Sequence, residues 1–302
     1  MELFKKTSID FVGRRYIFFF ISGILILSGM LSLIFKGGPK LGIDFTGGTL
    51  TEIKFQQLPS LEQLRKIFAE QGISVFELQS FPYQHSIILR TKLSGQDESE
   101  VIAKIQRGLT QNFDENYFEI IRSEYVGPVI GKHLVKRASL AILLSLLGII
   151  VYVAFRFKSA LWGTAGVIAL AHDVFVTAGV FSLLNKEVTI LVISALLTLA
   201  GYSINDTIVI FDRMRETLHL RRNLPLGELI NLSVNETLSR TIITSLTVFL
   251  VLLALFFFGG QVIHDFSFAL LFGVVVGSYS TIAIATPLVY EWELRKKKMN
   301  KK

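Results

Sequence analysis

Six stretches of about 20 mostly apolar residues decide what this chain can become: Tyr16 to Phe35, Leu134 to Phe155, Leu161 to Leu184, Val188 to Phe211, Thr241 to Phe258 and Phe266 to Tyr290. The hydrocarbon core of a bilayer is roughly 30 Å thick, and a helix crosses it in about 20 residues. The sequence therefore predicts a polytopic α-helical membrane protein with six transmembrane helices. Composition agrees, since 51% of the 302 residues are hydrophobic and only 18% are charged, a balance that soluble domains seldom have.

Lys5, Lys6, Arg14 and Arg15 precede the first stretch, as they would in a signal peptide. The run ends in FKGG without a small-x-small cleavage site, so it reads as an uncleaved anchor. Basic residues gather in the N-terminus, in FRFK (Phe155 to Lys158), at Arg213, Arg215, Arg221 and Arg222, and in the tail Arg295 to Lys302. Alternating helices bring all four clusters to one side, which the positive-inside rule makes the cytoplasm. Both termini are then cytoplasmic. Gly37 to Val126 holds 9 basic and 12 acidic residues, a net charge of −3 that suits the outer side. The overall charge of +7 reports topology and gives no support to nucleic-acid binding. Cysteine is absent, so neither disulfides nor thiolate metal sites can form.

The segmentation runs 1–36 (N-terminus and first helix), 37–130 (extracytoplasmic domain), 131–292 (helices two to six) and 293–302 (basic tail). Within the long insert LTEIKF alternates with period two, LEQLRKIFAEQG has helical spacing and a terminal Gly, and VFELQSF and HSIILRT flank a Pro-Tyr-Gln turn. A polar helix at about Glu98 to Gln111 and the strand YFEIIRSEYV complete the order βαββαβ, a ferredoxin-like α+β domain between helices one and two. The remaining connections are expected to be turns at Asn185 to Glu187 and Gly259 to His264. A loop from Arg213 to about Asn235 is expected to carry a short interfacial helix.

Familiar catalytic motifs are missing. GPVIGKH (Gly127 to His133) has three residues between its glycines and a His after the Lys, where a phosphate-binding loop needs four and a Ser or Thr. It reads as a Gly-Pro turn into the second helix, and the chain shows no ATPase motif. GIDFTGG (Gly42 to Gly48) reads as a structural turn at the domain entrance.

The informative residues are ionisable groups inside apolar runs. His172 and Asp173 lie in the middle of the third helix, Asn205 and Asp206 deep in the fourth, and Arg240 begins the fifth. A charge at mid-helix costs on the order of 3 kcal/mol on insertion scales, so such groups pair or mark ion and proton pathways. Counting helix rise puts Asp206 and Arg240 roughly 10 and 13 Å to one side of the midplane, close enough for an ion pair. Other roles stay open: Arg240 can snorkel to the headgroups, Asp206 can be a static partner, and adjacent helical residues such as His172 and Asp173 need separate partners. Gly201, Ser203, Gly273, Gly277 and Ser280 read as close-packing surfaces, and Asp212-Arg213 as a boundary charge pair.

Five ordered motifs resemble the SecF family: LGIDFTGG after the first helix, VGPVIGKHL before the second, ALAHDVF in the third, GYSINDTIVIFDRMRE in the fourth and NETLSRTIITSLT entering the fifth. This is the smaller-subunit family of the SecD-SecF complex, an accessory of the bacterial Sec translocase within the resistance-nodulation-division superfamily. The resemblance implies a non-enzymatic, multi-pass subunit of the bacterial plasma (inner) membrane that assists protein translocation at the expense of the proton motive force. It implies SecD as obligate partner, the SecYEG translocon, YajC and the YidC insertase as further neighbours, a translocating preprotein as client, and no cofactor. By motif the family's fourth-helix carboxylate and fifth-helix Arg fall on Asp206 and Arg240. His172, Asp173 and Asn205 complete the expected proton pathway. H+ is the implied coupling ion, with Na+ left open. The competing readings are a lipid or small-molecule exporter of the same superfamily and a non-catalytic scaffold.

Overall fold

The computed structural model describes residues 7–91, 98–157, 159–221 and 223–299. Lys5, Lys6, Lys158, Arg222 and residues 300–302 of the basic clusters lie outside the described residues. Two compact units emerge, one of Met1–Lys40 with Leu140–Lys302, the other of Leu41–Ser139.

After the first spanning helix α1 (Arg15–Phe35), the second unit contains a one-turn helix α2 (Ile43–Thr46), β1 (Gly48–Phe55), α3 (Leu61–Glu70), β2 (Val75–Phe81), β3 (Ser86–Thr91), α4 (Glu98–Asn112) and β4 (Phe118–Val126). The sheet order is β2-β3-β1-β4 with every pair antiparallel, the ferredoxin-like arrangement. Local chemistry accounts for each element. Ser60 caps α3 by accepting the Gln63 N–H at 3.1 Å, and Leu64, Ile67 and Phe68 fall on one face at helical spacing. With Val101, Ile105 and Leu109 of α4 they form a core with Ile53, Phe55, Ile87 and Leu89, the alternate residues of β1 and β3. GIDFTGG is the turn into β1: Gly47 and Gly48 have φ of +72° and +137°, and a Cβ on Gly48 would sit 2.5 Å from the Thr91 carbonyl oxygen.

The other unit holds the rest of the helices: α5 (Pro128–Phe157), whose first turns belong to the sheet unit, α6 (Ala160–Leu183), α7 (Ile190–Leu220), α8 (Leu226–Phe258), α9 (Gly260–Ser280), a π-turn (Thr281–Ala285) and α10 (Thr286–Met299). Together with α1 they give, among the described residues, six helical stretches long and apolar enough to cross a membrane, α9 and α10 acting as one. The α6, α7 and α9–α10 spans are the most buried, while α1, α5 and α8 are largely exposed along their apolar lengths. One core gathers Phe11, Val12, Trp162, Phe211, Met214, Ile230 and Val289; another gathers Phe181, Val192, Leu199, Leu252 and Val274.

Two connections differ from expectation. Most of the loop expected over Arg213 to Asn235 is helix, since α7 runs to Leu220 and α8 starts at Leu226, the two continuing as a paired hairpin. Met214, Leu229, Ile230 and Val234 are buried there, Ser233 donates to Thr217 at 3.2 Å, and Arg213 pairs with Glu236 at 2.6 Å. The turn expected at Gly259 to His264 shrinks to the Gly259-Gly260 step, where Gly260 takes a left-handed φ of +75°. The compact unit that holds the sheet runs to Ser139 and so takes in the first turns of α5. The first turns of α5 lie so close to the Phe45–Gly47 backbone that a Cβ on Gly131 would meet the Phe45 carbonyl oxygen at 3.0 Å.

Candidate functional site

Two polar clusters lie inside the helical unit, and α7 serves both. Asp173, at the middle of α6, is fully buried and His172 is 3% exposed. Ser203 of α7 and Ser280 of α9 donate to Asp173 Oδ2 at 2.5 and 2.8 Å, and His172 Nδ1 lies 3.0 Å from Oδ1. The expectation that the two neighbours need separate partners is overturned, since the imidazole folds onto the adjacent carboxylate. Beside them Thr207 and Thr281 share a hydrogen bond of 3.0 Å. On the His172 side, the Tyr279 ring lies tilted at 6.2 Å between centroids, donates to the Phe18 carbonyl at 2.9 Å and receives the Ser22 hydroxyl at 3.2 Å. Buried polar groups need partners, and α1, α6, α7 and α9 supply them jointly.

The second cluster surrounds Asp206, one turn along α7 from Ser203 and 4% exposed. Its neighbour is Ser245 of α8, whose hydroxyl lies 3.5 Å from Oδ2, the outer limit of a hydrogen bond. Ser245 also meets Ser278 of α9 at 2.7 Å and Tyr202 at 3.3 Å. Among the described residues no ion pair joins Asp206 to Arg240. Arg240 is exposed on α8, near enough to act on the carboxylate through space but beyond contact. The depth count placed the two groups at similar levels, whereas the α8 residue beside Asp206 is Ser245, five positions along from Arg240.

Asn205 faces away from Asp206 and is exposed. It ends a stripe of exposed small or polar residues on α7, Ser194, Thr198, Gly201 and Asn205, and α8 exposes Arg240 and Thr247. The hydroxyls of Ser194 and Thr198 are satisfied by carbonyls one turn back. Gly201 has nothing within 4 Å of an added Cβ, so it is no packing surface here. Gly273 and Gly277 are: their Cβ atoms would meet Leu199 at 2.5 Å and Ser203 at 3.2 Å. Asp212 and Arg213 do not pair with each other, as Asp212 takes Arg156 of α5 while Arg213 takes Glu236 and Glu216.

Ser203 and Ser280, read from sequence as packing residues, are the direct donors to Asp173, and Ser245, Ser278, Thr207 and Thr281 were not singled out. The available signal was weak: hydroxyl residues on apolar helices commonly bond their own backbone, and only the assembled bundle shows which of them turn to a carboxylate.

Comparison with known proteins follows this geometry. Residues 105–295 match the family model described as protein export membrane protein SecD/SecF, C-terminal, and residues 32–57 match the SecD/SecF GG motif. The chain is 46% identical over 298 residues to the protein translocase subunit SecF of Endomicrobium trichonymphae, covering 99% of this chain and 96% of the relative. It is 42% identical over 294 residues to the subunit of that name from Calditerrivibrio nitroreducens, with 96% of each covered. Among solved structures it resembles SecDF from Thermus thermophilus, described as a translocon-associated membrane protein, with TM-score 0.83 and 39% identity; the match covers 95% of this chain and 39% of that one. A SecDF structure in a super-membrane-facing form matches with TM-score 0.71 and 37% identity, covering 99% of this chain and 40% of that one.

Proposed function

The chain belongs to the SecD/SecF family of protein-export membrane proteins, and from this we propose that it is a SecF-type subunit that assists Sec-dependent translocation across the plasma membrane by using the proton motive force. One observation carries the energetic part. Asp206 is a buried carboxylate inside a spanning helix, touched only weakly by Ser245, with the cation of Arg240 nearby and unpaired to it. Such a group can exchange a proton for an ion pair: a proton on Asp206 leaves Arg240 exposed, and loss of that proton draws the guanidinium in. One charge crossing 100 mV yields about 2.3 kcal/mol, enough to bias a conformational equilibrium roughly fiftyfold. The domain of Leu41–Ser139 is the element such a cycle would move, in contact with an emerging preprotein.

The matched SecDF chains are more than twice as long as this one, which covers 39% and 40% of them. A SecD-type half is accordingly the first partner, and the exposed stripe from Ser194 to Asn205 with Arg240 and Thr247 is the face we assign to it, because lipid would give the Asn205 amide and the Arg240 guanidinium no partner. SecYEG is the expected larger partner, with YajC and YidC as neighbours, both termini cytoplasmic, and H+ rather than Na+ as coupling ion.

The test is preprotein export into vesicles carrying the complete complex. Asp206→Asn and Arg240→Met are each expected to remove the gradient-stimulated part of export while protein levels hold. Collapse of the proton gradient with a sodium gradient retained should do the same. Normal export in both variants sinks the proton role, and export that survives on sodium alone reassigns the ion.

A further inference from the structure

Asp173 lies at the point where α9 changes its winding. Ser280 closes α9 and Thr281 opens the π-turn, and both are fully buried. Ser280 Oγ has one hydrogen and two acceptors in reach, Asp173 Oδ2 at 2.8 Å and the Gly277 carbonyl oxygen at 3.1 Å. Thr281 Oγ1 stands between the same carbonyl at 3.0 Å and Thr207 Oγ1 at 3.0 Å. A hydroxyl donates its one hydrogen to one good acceptor at a time, and a carboxylate is the stronger acceptor. The charge on Asp173 therefore decides where the Ser280 hydrogen goes.

A second observation points to a route for the proton. His172 Nε2 is buried without a hydrogen-bond partner, while Nδ1 of the same ring faces Asp173 Oδ1 at 3.0 Å. An imidazole that donates through Nδ1 keeps a free lone pair on Nε2. A proton arriving there can be relayed through the ring.

Extending the proton-driven reading on which it rests, we propose that the His172–Asp173 pair is a second proton-binding site, and that Ser203, Ser280 and Thr281 are positioning residues that convey its state to the π-turn. The step balances. A proton from hydronium forms Nε2–H with release of water, the Nδ1–H bond breaks, and Oδ1–H forms, leaving a neutral imidazole and a neutral carboxylic acid with one proton gained. Asp173 Oδ2 is then a weaker acceptor, Ser280 turns to the Gly277 carbonyl, and Thr281 gives way toward Thr207. A π-turn is a locally irregular winding that recurs at functional sites, so the change falls on a segment able to respond. The ionisable groups around the pair are few. Tyr279 of α9 flanks His172, and Tyr202 and Asp206 of α7 belong to the Ser245 cluster. The π-turn has no ionisable side chain, and α1 offers Ser22 and the Phe18 carbonyl.

Hydrogen exchange of the full chain in nanodiscs, across a pH series and corrected for the intrinsic pH dependence of exchange, tests this. Protection of the Thr281–Ala285 amides should change about tenfold through one titration in the wild type. Asp173→Asn should hold the acid-side protection at every pH, whereas Asp206→Asn should leave the titration intact. Ser280→Ala should abolish the response while the infrared carbonyl band of protonated Asp173 still appears with falling pH, and this variant decides the matter if Asp173→Asn does not fold. Wild-type protection that ignores pH, or a response that survives in Asp173→Asn or Ser280→Ala, overturns the proposal. Normal export by Asp206→Asn would instead remove the drive proposed above and leave this local titration standing.

Discussion

At the scale of single residues, a side chain's partners matter more than its type, and the N-terminal segment illustrates this outside the membrane. Asn231 of α8 accepts the N–H groups of Phe11 and Val12 at 3.0 Å each and donates to Asp10 at 2.7 Å, while Asn235 exchanges two hydrogen bonds with Ile9. The Gly13 N–H, then Asn231, hold the Asp10 carboxyl below its ordinary range. A carboxyl depressed in the folded state stabilises the fold above its unfolded pKa, and that contribution fades as pH falls through the lower, folded value. The strap over Ile9 to Gly13 should therefore hold at neutral pH and loosen only in acid. Asn231→Ala strips partners from two backbone N–H groups of buried residues and should cost about 1–3 kcal/mol. Faster exchange of the Phe11 and Val12 amides would register it, and unchanged exchange would contradict it. Nothing in IDFVGRR marks it as half of such a clasp, because the other half lies more than 200 positions away.

Helices in this protein meet where their side chains are smallest. At the crossing of α1 and α6 a Cβ on Gly29 would fall 2.7 Å from Gly179 Cα, and the Ser32 and Ser182 hydroxyls bond at 2.8 Å nearby. Gly29→Leu should force the pair apart, at about 1–3 kcal/mol for an overpacked site. Thermal unfolding in detergent measures this, with Gly23→Leu, where an added Cβ meets nothing within 4 Å, as the silent control. Element types and approximate ends were legible because each rests on a local signal: the alternation of LTEIKF, the Ser60 cap, the length of the apolar runs. The hairpin of α7 and α8 beyond the apolar core was not, since charged residues such as Arg213 and Glu236 read as loop until they are seen to pair across it. The π-turn had no signal either, TIAIA being as compatible with an α-helix.

For the whole molecule, the exposed polar stripe leads to a test of assembly. The chain has no cysteine, so a single introduced one reports without background. Asn205→Cys should cross-link to a co-expressed SecD-type partner, whereas Val151→Cys, on the exposed apolar length of α5, should not. Equal labelling at both positions would remove the stripe as the docking face.

Six spans, an inserted βαββαβ domain and a short list of intramembrane charges were determined by the sequence alone, because apolar run length and period-two alternation are local quantities. Which charge touches which group was decided only by the tertiary structure. A membrane helix that is apolar nearly all round has no amphipathic face to betray its rotation, and each residue turns it by about 100°. Depth could be counted, so Asp206 and Arg240 were matched in height. Azimuth could not, so Ser245 beside Asp206, and Ser203 and Ser280 on Asp173, became visible only once the helices were packed.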